Sequence, residues 1–345
     1  MLNIMIQKLQ ETSESLTVSD IMPLLTAEGS LQDELLEVAR EVRHKAGQDD
    51  VVLRGVIEVS NDCRKNCDYC AMRVTNKELE RYSLDAHDII YLATKVKEAG
   101  IGIVFLQGGQ NPQTDRILEE VMPIIRNDLG MDILLCIGER PKKTYDRYFR
   151  LGAGSYILKY ETSDPVFYNR ITHGQLAKRL RCIDWIRESG MKVGTGNIVG
   201  LPGQSIESLA NDILFGVRIR PDFISASPFI PNSNTPLQDY PKGSANLTLN
   251  TIAILRIIIK TPLIPSVSAL ESVFPEGQTT GLNAGANVIT VNFTPKDERD
   301  LYRIYSEKRF VVSLDHALNT IKRAGLQVRK WACKCARSTS IRGRH

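Results

Sequence analysis

Val51-Val52-Leu53-Arg54-Gly55-Val56-Ile57-Glu58-Val59 is a β-branched run that stops just short of Asn61-Asp62-Cys63-Arg64-Lys65-Asn66-Cys67-Asp68-Tyr69-Cys70. The first stretch has the composition of a buried strand, and the second opens a loop that carries three thiols. Three ligands are one short of a closed site, since structural zinc takes four and iron–sulfur clusters are normally held by four thiolates. The trio therefore points to a metal centre with one open position, where the exposed metal binds a reactant. Zinc would need a further ligand pair near Cys67 and Cys70, and none occurs within fifty residues. Cys136 and Cys182 stand alone in apolar surroundings, and Cys333 and Cys335 lie in a basic tail.

From this first run a rhythm continues along the chain. Short apolar runs at Val51 to Val59, Gly102 to Leu106, Asp132 to Cys136, Ser155 to Leu158, Lys192 to Val199, Phe223 to Ala226, Leu263 to Ser266 and Asn287 to Val291 alternate with longer amphipathic stretches. Between the first two, Ile89, Leu92, Ala93 and Val96 fall at helical spacing, with Asp85 and Asp88 in the first turn and Gly100 just past the end. Strands alternating with helices predict right-handed βαβ units and a parallel sheet, and eight repeats close into a complete (β/α)8 barrel of the TIM type. Leu35, Leu36, Val38, Ala39 and Val42 mark a helix before the rhythm begins. The expected organisation is an N-terminal helical cap over residues 1–50, a barrel over 51–325 and a basic tail over 326–345, with no linker dividing them.

In such a barrel reactive groups gather at the C-terminal ends of the strands, because the loops there converge on one mouth. Gln107-Gly108-Gly109-Gln110-Asn111-Pro112 follows the second run; its glycines suit either a tight turn or a backbone brought close to a ligand. Ile137-Gly138-Glu139 follows the third run. Glu161, just beyond the fourth, is an acidic side chain that needs a partner, either Lys159 or Arg179 or a ligand hydroxyl. Arg179 is placed to bind a carboxylate bidentately, or else is a surface helix residue. Gly200-Leu201-Pro202-Gly203-Gln204 follows the fifth run and offers an apolar edge; Pro228-Phe229-Ile230-Pro231 follows the sixth.

Taken together, the cysteine loop, Arg54-Gly55-Val56-Ile57-Glu58, Val199-Gly200-Leu201-Pro202-Gly203-Gln204, Pro228-Phe229-Ile230-Pro231 with Asn234-Thr235-Pro236-Leu237, and Asn283-Ala284-Gly285-Ala286-Asn287-Val288-Ile289 resemble the biotin-synthase-like radical S-adenosylmethionine (SAM) enzymes. The likeness runs from about residue 30 to about residue 325, is strongest to the HydE group of [FeFe]-hydrogenase maturases, and extends to the 3-methylornithine synthases. That resemblance implies a [4Fe–4S] cluster ligated by Cys63, Cys67 and Cys70, with SAM chelated at the fourth iron and cleaved reductively to a 5′-deoxyadenosyl radical. By position it implies that Gly108, Gly109 and Gln110 meet the SAM amino group and that Tyr69 and Ile230 lie near the adenine beside Gly200 and Leu201. It likewise implies that Glu161 meets the ribose and Arg179 the carboxylate. The radical would act on a small molecule or small metal complex in a pocket lined by Cys136, Lys159, Ser266 and Ser268, and a one-electron donor such as flavodoxin or ferredoxin would supply the cluster.

The chain also departs from the maturase pattern. Gly109-Gln110-Asn111 is neutral where two carboxylates are usual, and Val311 to Gly325 holds none of the cysteines of an accessory cluster. Leu135-Cys136 and Ser266-Val267-Ser268 replace a floor rich in Thr and Ser. A divergent maturase, a paralogue with another small substrate, an amino-acid carbon-skeleton mutase or a non-catalytic carrier of a cluster or metallo-intermediate would each fit these departures.

Composition is that expected of a soluble globular protein: 345 residues, 42% hydrophobic and 24% charged, are enough for a substantial core. Seven cysteines in asymmetric clusters do not read as a disulfide framework. With no long apolar span and no secretory leader, the expectation is a cytoplasmic protein without membrane partners. The net charge of +4 is concentrated only at Arg329, Lys330, Lys334, Arg337, Arg342 and Arg344, a short solvated end rather than a nucleic-acid-binding module.

Overall fold

The computed structural model describes residues 2–11, 15–305 and 309–331; Cys333, Cys335 and most of the basic tail lie outside the described residues. Eight strands form one sheet: β1 Asp50–Ser60, β2 Ile103–Gly108, β3 Asp132–Cys136, β4 Ala153–Ile157, β5 Lys192–Val199, β6 Phe223–Pro228, β7 Val288–Asn292 and β8 Gln327–Val328. The order β6-β5-β4-β3-β2-β1-β7 is parallel throughout, with helices between the strands, so seven strands curl into an α/β half-barrel. The short β8 pairs with β1 at Asp50 and Val51, so the sheet starts one residue before the expected 51–325 span and ends, at Val328, three residues after it.

The expected strand at Leu263 to Ser266 does not form as a regular element. Its contacts are isolated parallel bridges, Phe223 with Leu263 on one side and Pro265 with Val288 on the other. Proline explains the interruption, because Pro265 has no N–H to continue a ladder. The segment still bonds to both neighbours: Ile224 N donates to Leu263 O at 3.0 Å and Ser266 N donates to Val288 O at 2.9 Å.

β1 shows why a parallel strand reads as a nearly continuous apolar run: every residue from Val51 to Ser60 is buried, with helices on one face and the sheet interior on the other. Leu53, Ile57 and Val59 join the main core against the helices, whereas Arg54, Val56 and Glu58 line an interior cavity. The helix expected from the Ile89 pattern spans Ala86–Glu98, with the Asp85 side chain accepting from Asp88 N. Helices Leu2–Glu11, Val18–Leu25 and Ser30–Lys45 lie against the outer helices Ile206–Ile219 and Ala245–Ile259. Asn250 fastens them by donating to Leu25 O and Ala27 O, each at 2.9 Å. No helix of the described residues is long and apolar enough to cross a membrane.

Candidate metal and cofactor site

The cysteine loop leaves the C-terminal end of β1 and is tied down from several sides. Asn61 donates to Glu80 O at 2.8 Å and accepts from Tyr82 N at 2.9 Å, while Asp68 N donates to Ile171 O at 2.8 Å. Asp68 also meets His173 at 2.8 Å and Arg73 at 3.1 Å. Cys63 Sγ accepts from Gln110 N at 3.3 Å and Lys65 N at 3.4 Å.

The three thiols are not gathered as tightly as the ligands of a single ion: among the described residues the group whose ligating atoms all lie within 4.8 Å of one another is the exposed Asp85, His87 and Asp88. A tetrahedral zinc with Zn–S bonds of about 2.3 Å would hold its thiolates about 3.8 Å apart. A cluster in which each thiolate meets a different iron takes the wider spread. Burial pushes the Cys67 thiol up to about 11, with the neighbouring Cys63 adding to the shift against Arg179 and a Tyr69 hydrogen bond; Cys70 is raised further, again chiefly by burial. Thiols that resist ionisation alone give up their protons to a metal, so loading releases acid.

Gly108 and Gly109 separate cleanly. A Cβ on Gly109 would lie 2.1 Å from Asp62 O and 2.9 Å from Cys63 Cβ, so the close approach is to the cysteine loop. A Cβ on Gly108 would meet nothing nearer than Val59 at 3.1 Å. Gly109→Ala should therefore push the Cys63 loop off its seat, costing about 1–3 kcal/mol and lowering reconstituted iron content, while Gly108→Ala should retain it. Iron and sulfide analysis of the two variants checks this.

Across the mouth, Glu161 sits at φ 63°, a conformation that costs a non-glycine residue on the order of 1–3 kcal/mol. Its Oε2 is buried, makes no hydrogen bond and forms an ion pair with Lys159 Nζ at 3.4 Å, one of the two charge partners expected from the sequence. Both polar atoms of the Asn197 side chain and the Tyr168 hydroxyl are likewise buried without a hydrogen bond. Buried polar groups in folded proteins are nearly always satisfied, so this cluster of orphans fits a polar ligand such as a ribose. Arg179 is only partly free: its Nε donates to Glu139 Oε1 at 2.9 Å and its Nη1 to Lys159 O at 3.2 Å. Burial works to lower its pKa, but Tyr168, Glu139 and Glu161 outweigh it and keep the guanidinium charged. Gln110 is engaged too, since its Oε1 accepts from Glu139 N at 2.9 Å. Leu201 packs with Phe167, Ile171, Ile198 and Phe229, and Tyr69 leans on that cluster. Gly200 beside it has φ 81° and donates from N to Gln204 Oε1 at 2.7 Å.

Beneath the mouth is a cavity of about 280 Å³. It runs from Tyr69, Glu161, Arg179 and Ile230 down past Cys136, Lys159, Ser266 and Ser268 to Arg54. Arg54 is fully buried over the Phe105 ring at 5.7 Å, its Nε and Nη1 have no partner, and burial pulls its pKa down to about 10. Cys136, next to it on the lining, is pushed up to about 11 by burial, so it stands there as a neutral thiol. Sequence reasoning did not single out Glu139, Asn197, Tyr168 or the Glu58–Arg309 pair as site residues. Only Glu139 carried a local signal, its place directly after a strand.

The comparisons with known proteins agree with this geometry. A family model described as the Radical SAM superfamily matches residues 57–215. The chain is 36% identical over 285 residues to the [FeFe] hydrogenase maturase subunit HydE of Thermotoga maritima, with 82% of each chain covered. It is 31% identical to the 3-methylornithine synthase of Methanosarcina acetivorans, over 82% of this chain and 81% of that protein. The crystal structure of methylornithine synthase (PylB) matches at a TM-score of 0.81 and 26% identity, covering 94% of this chain and 97% of that one. Three thiols on a strand-end loop, a mouth of unsatisfied polar groups and these relatives lead to one conclusion: the chain belongs to the radical SAM superfamily and is an enzyme.

Proposed function

We propose that this enzyme cleaves SAM reductively and directs the chemistry at a small substrate in the cavity, as a HydE-like maturase or close paralogue. The observation that carries the reading is that Cys67 lies within electrostatic reach of Glu161 and Tyr168, where Glu161 has only its ion pair with Lys159 and Asn197 and Tyr168 keep buried polar atoms without hydrogen bonds. When bound, a [4Fe–4S] cluster and SAM supply one-electron chemistry that generates a 5′-deoxyadenosyl radical. The protein's part is placement and exclusion. The three cysteines would hold the cluster, Arg179 and the backbone at Gly108 to Gln110 would receive the amino-acid end of SAM, and Glu161 the ribose. Tyr69, Leu201 and Ile230 give an apolar wall for the base. Cys136, Lys159, Ser266 and Ser268 would meet the substrate, and one that reaches Arg54 finds a guanidinium with two free donors. The greater identity to HydE than to 3-methylornithine synthase supports the maturase side.

We further infer that Leu263–Ser266 closes the sheet into a complete (β/α)8 barrel, supported by its hydrogen bonds to both β6 and β7. The 1–50 segment would be its helical cap and a flavodoxin- or ferredoxin-type protein in the cytoplasm its electron source. Anaerobically reconstituted protein given dithionite and SAM should release methionine and 5′-deoxyadenosine in equal amounts. Tight SAM binding without release would overturn the enzymatic reading in favour of a carrier.

A further inference from the structure

Glu161 reaches the cavity from a three-residue turn, closed by Thr162 N donating to Tyr160 O at 2.8 Å. Up to that residue β5 holds the chain: Glu161 N donates to Gly196 O and Ile198 N to Glu161 O, each at 3.0 Å. Immediately after it, the holding group is Asp212, completely buried on helix Ile206–Ile219 and outside the cavity lining. Its Oδ1 accepts from Ser163 N at 2.5 Å, Ser163 Oγ at 2.7 Å and Thr162 Oγ1 at 3.1 Å. Its Oδ2 accepts from Gln204 Nε2 at 2.9 Å, and Gln204 in turn accepts from Gly200 N at 2.7 Å and donates to Ile198 O at 3.0 Å. One carboxylate thus ties the chain just after Glu161 to the chain at Gly200 and Leu201. Burial pushes it up to about 6, against the hydrogen bonds of Ser163, Thr162 and Gln204. An apolar residue would avoid that penalty, so the carboxylate's contribution is geometric.

We propose that Asp212 is a positioning residue for SAM, fixing the strained Glu161 turn and the Gly200–Leu201 edge relative to each other so that both sides of the nucleoside site stay in place. The inference rests on the reading that Glu161 and this edge face SAM. Removing the tie lets the turn at Glu161 relax toward ordinary backbone, which swings its carboxylate off the ligand while the cysteine loop keeps its own ties through Asn61 and Arg73.

The test is the SAM dissociation constant of reconstituted holoenzyme, by equilibrium dialysis and by the change in the reduced cluster's EPR signal on adding SAM. Asp212→Asn keeps an oxygen toward Thr162 and Ser163 but turns an amino group toward Gln204, so SAM should bind about tenfold more weakly. Asp212→Ala loses both arms and should weaken binding about a hundredfold, with iron and sulfide content at the wild-type level. Thr162→Val should weaken binding severalfold and Thr162→Ser should restore it, a rescue that general destabilisation would not produce; this pair also decides the matter if Asp212→Ala does not fold. Glu161→Gln separates the two layers. Weak SAM binding in Glu161→Gln with wild-type affinity in the Asp212 and Thr162 variants overturns the positioning role alone. Wild-type affinity in all of them overturns the reading on which it rests.

Discussion

Replacing Cys67 with Ala should abolish SAM cleavage and remove most of the iron from reconstituted protein, while the fold survives. Loss of a mere supporting partner of a metal ligand costs about 10–100-fold in affinity or activity, so loss of one ligand of three should leave less than about one hundredth. The fold should survive because Cys67 contributes little packing of its own: it is half-buried in a loop held by Asn61, Asp68 and Arg73 rather than by sulfur contacts. In the metal-free protein the change removes a half-buried thiol that its surroundings already hold neutral, so the unloaded variant should melt close to wild type. The measurement is paired: iron, sulfide and 5′-deoxyadenosine on one side, circular dichroism melting on the other. Cleavage surviving at more than a tenth of wild type would remove Cys67 from the ligand set, and with it the three-thiol site.

How far such a site is legible in sequence depends on how local its parts are. The cysteine trio reads directly, since all three thiols fall within one loop. Asp132–Cys136 and Lys192–Val199 are strands over the very residues that their apolar runs mark. Leu263 to Ser266 carries a similar run, but Pro265 breaks the ladder, so composition overstates its regularity. Gln327–Val328 is too short to show any period, yet it pairs with β1. Glu161 was legible as a carboxylate needing a partner, but its strained turn and its anchor 51 positions away at Asp212 were not. No periodicity links residues that meet only when the sheet curls. The same holds for Gln110, whose amide is captured by Glu139 across two strand ends, and for the glycine beside it, whose close neighbour is the cysteine loop.

The largest stability effect should come from another such pair. Glu58 on β1 and Arg309, 251 positions apart, form a bidentate ion pair with oxygen–nitrogen distances of 2.5 and 2.6 Å. Glu58 is 3% and Arg309 11% exposed at the side chain. Arg309 also donates to Arg299 O at 3.0 Å and lies over the Tyr302 ring, so it is held from three directions. Burial acts to lower its pKa, but the Glu58 hydrogen bonds and charge outweigh that and leave it raised. The pair pins part of the cavity wall, since Ile304, Tyr305 and Phe310 line the same cavity. Glu58→Leu leaves a buried guanidinium with no counter-charge and should destabilise the protein by about 3–5 kcal/mol, the usual cost of breaking such a pair from one side. Removing both charges should cost far less, because desolvating two ions offsets most of what their attraction returns. Glu58→Leu combined with Arg309→Met should therefore recover most of the loss in urea unfolding, giving a coupling of several kcal/mol in the double-mutant cycle. Additive single effects would mean that the pair does not act as a unit. If the double variant folds stably yet shows altered SAM turnover, the two charges act on the cavity rather than on the fold, and that outcome separates a structural clamp from a wall whose charges the substrate meets.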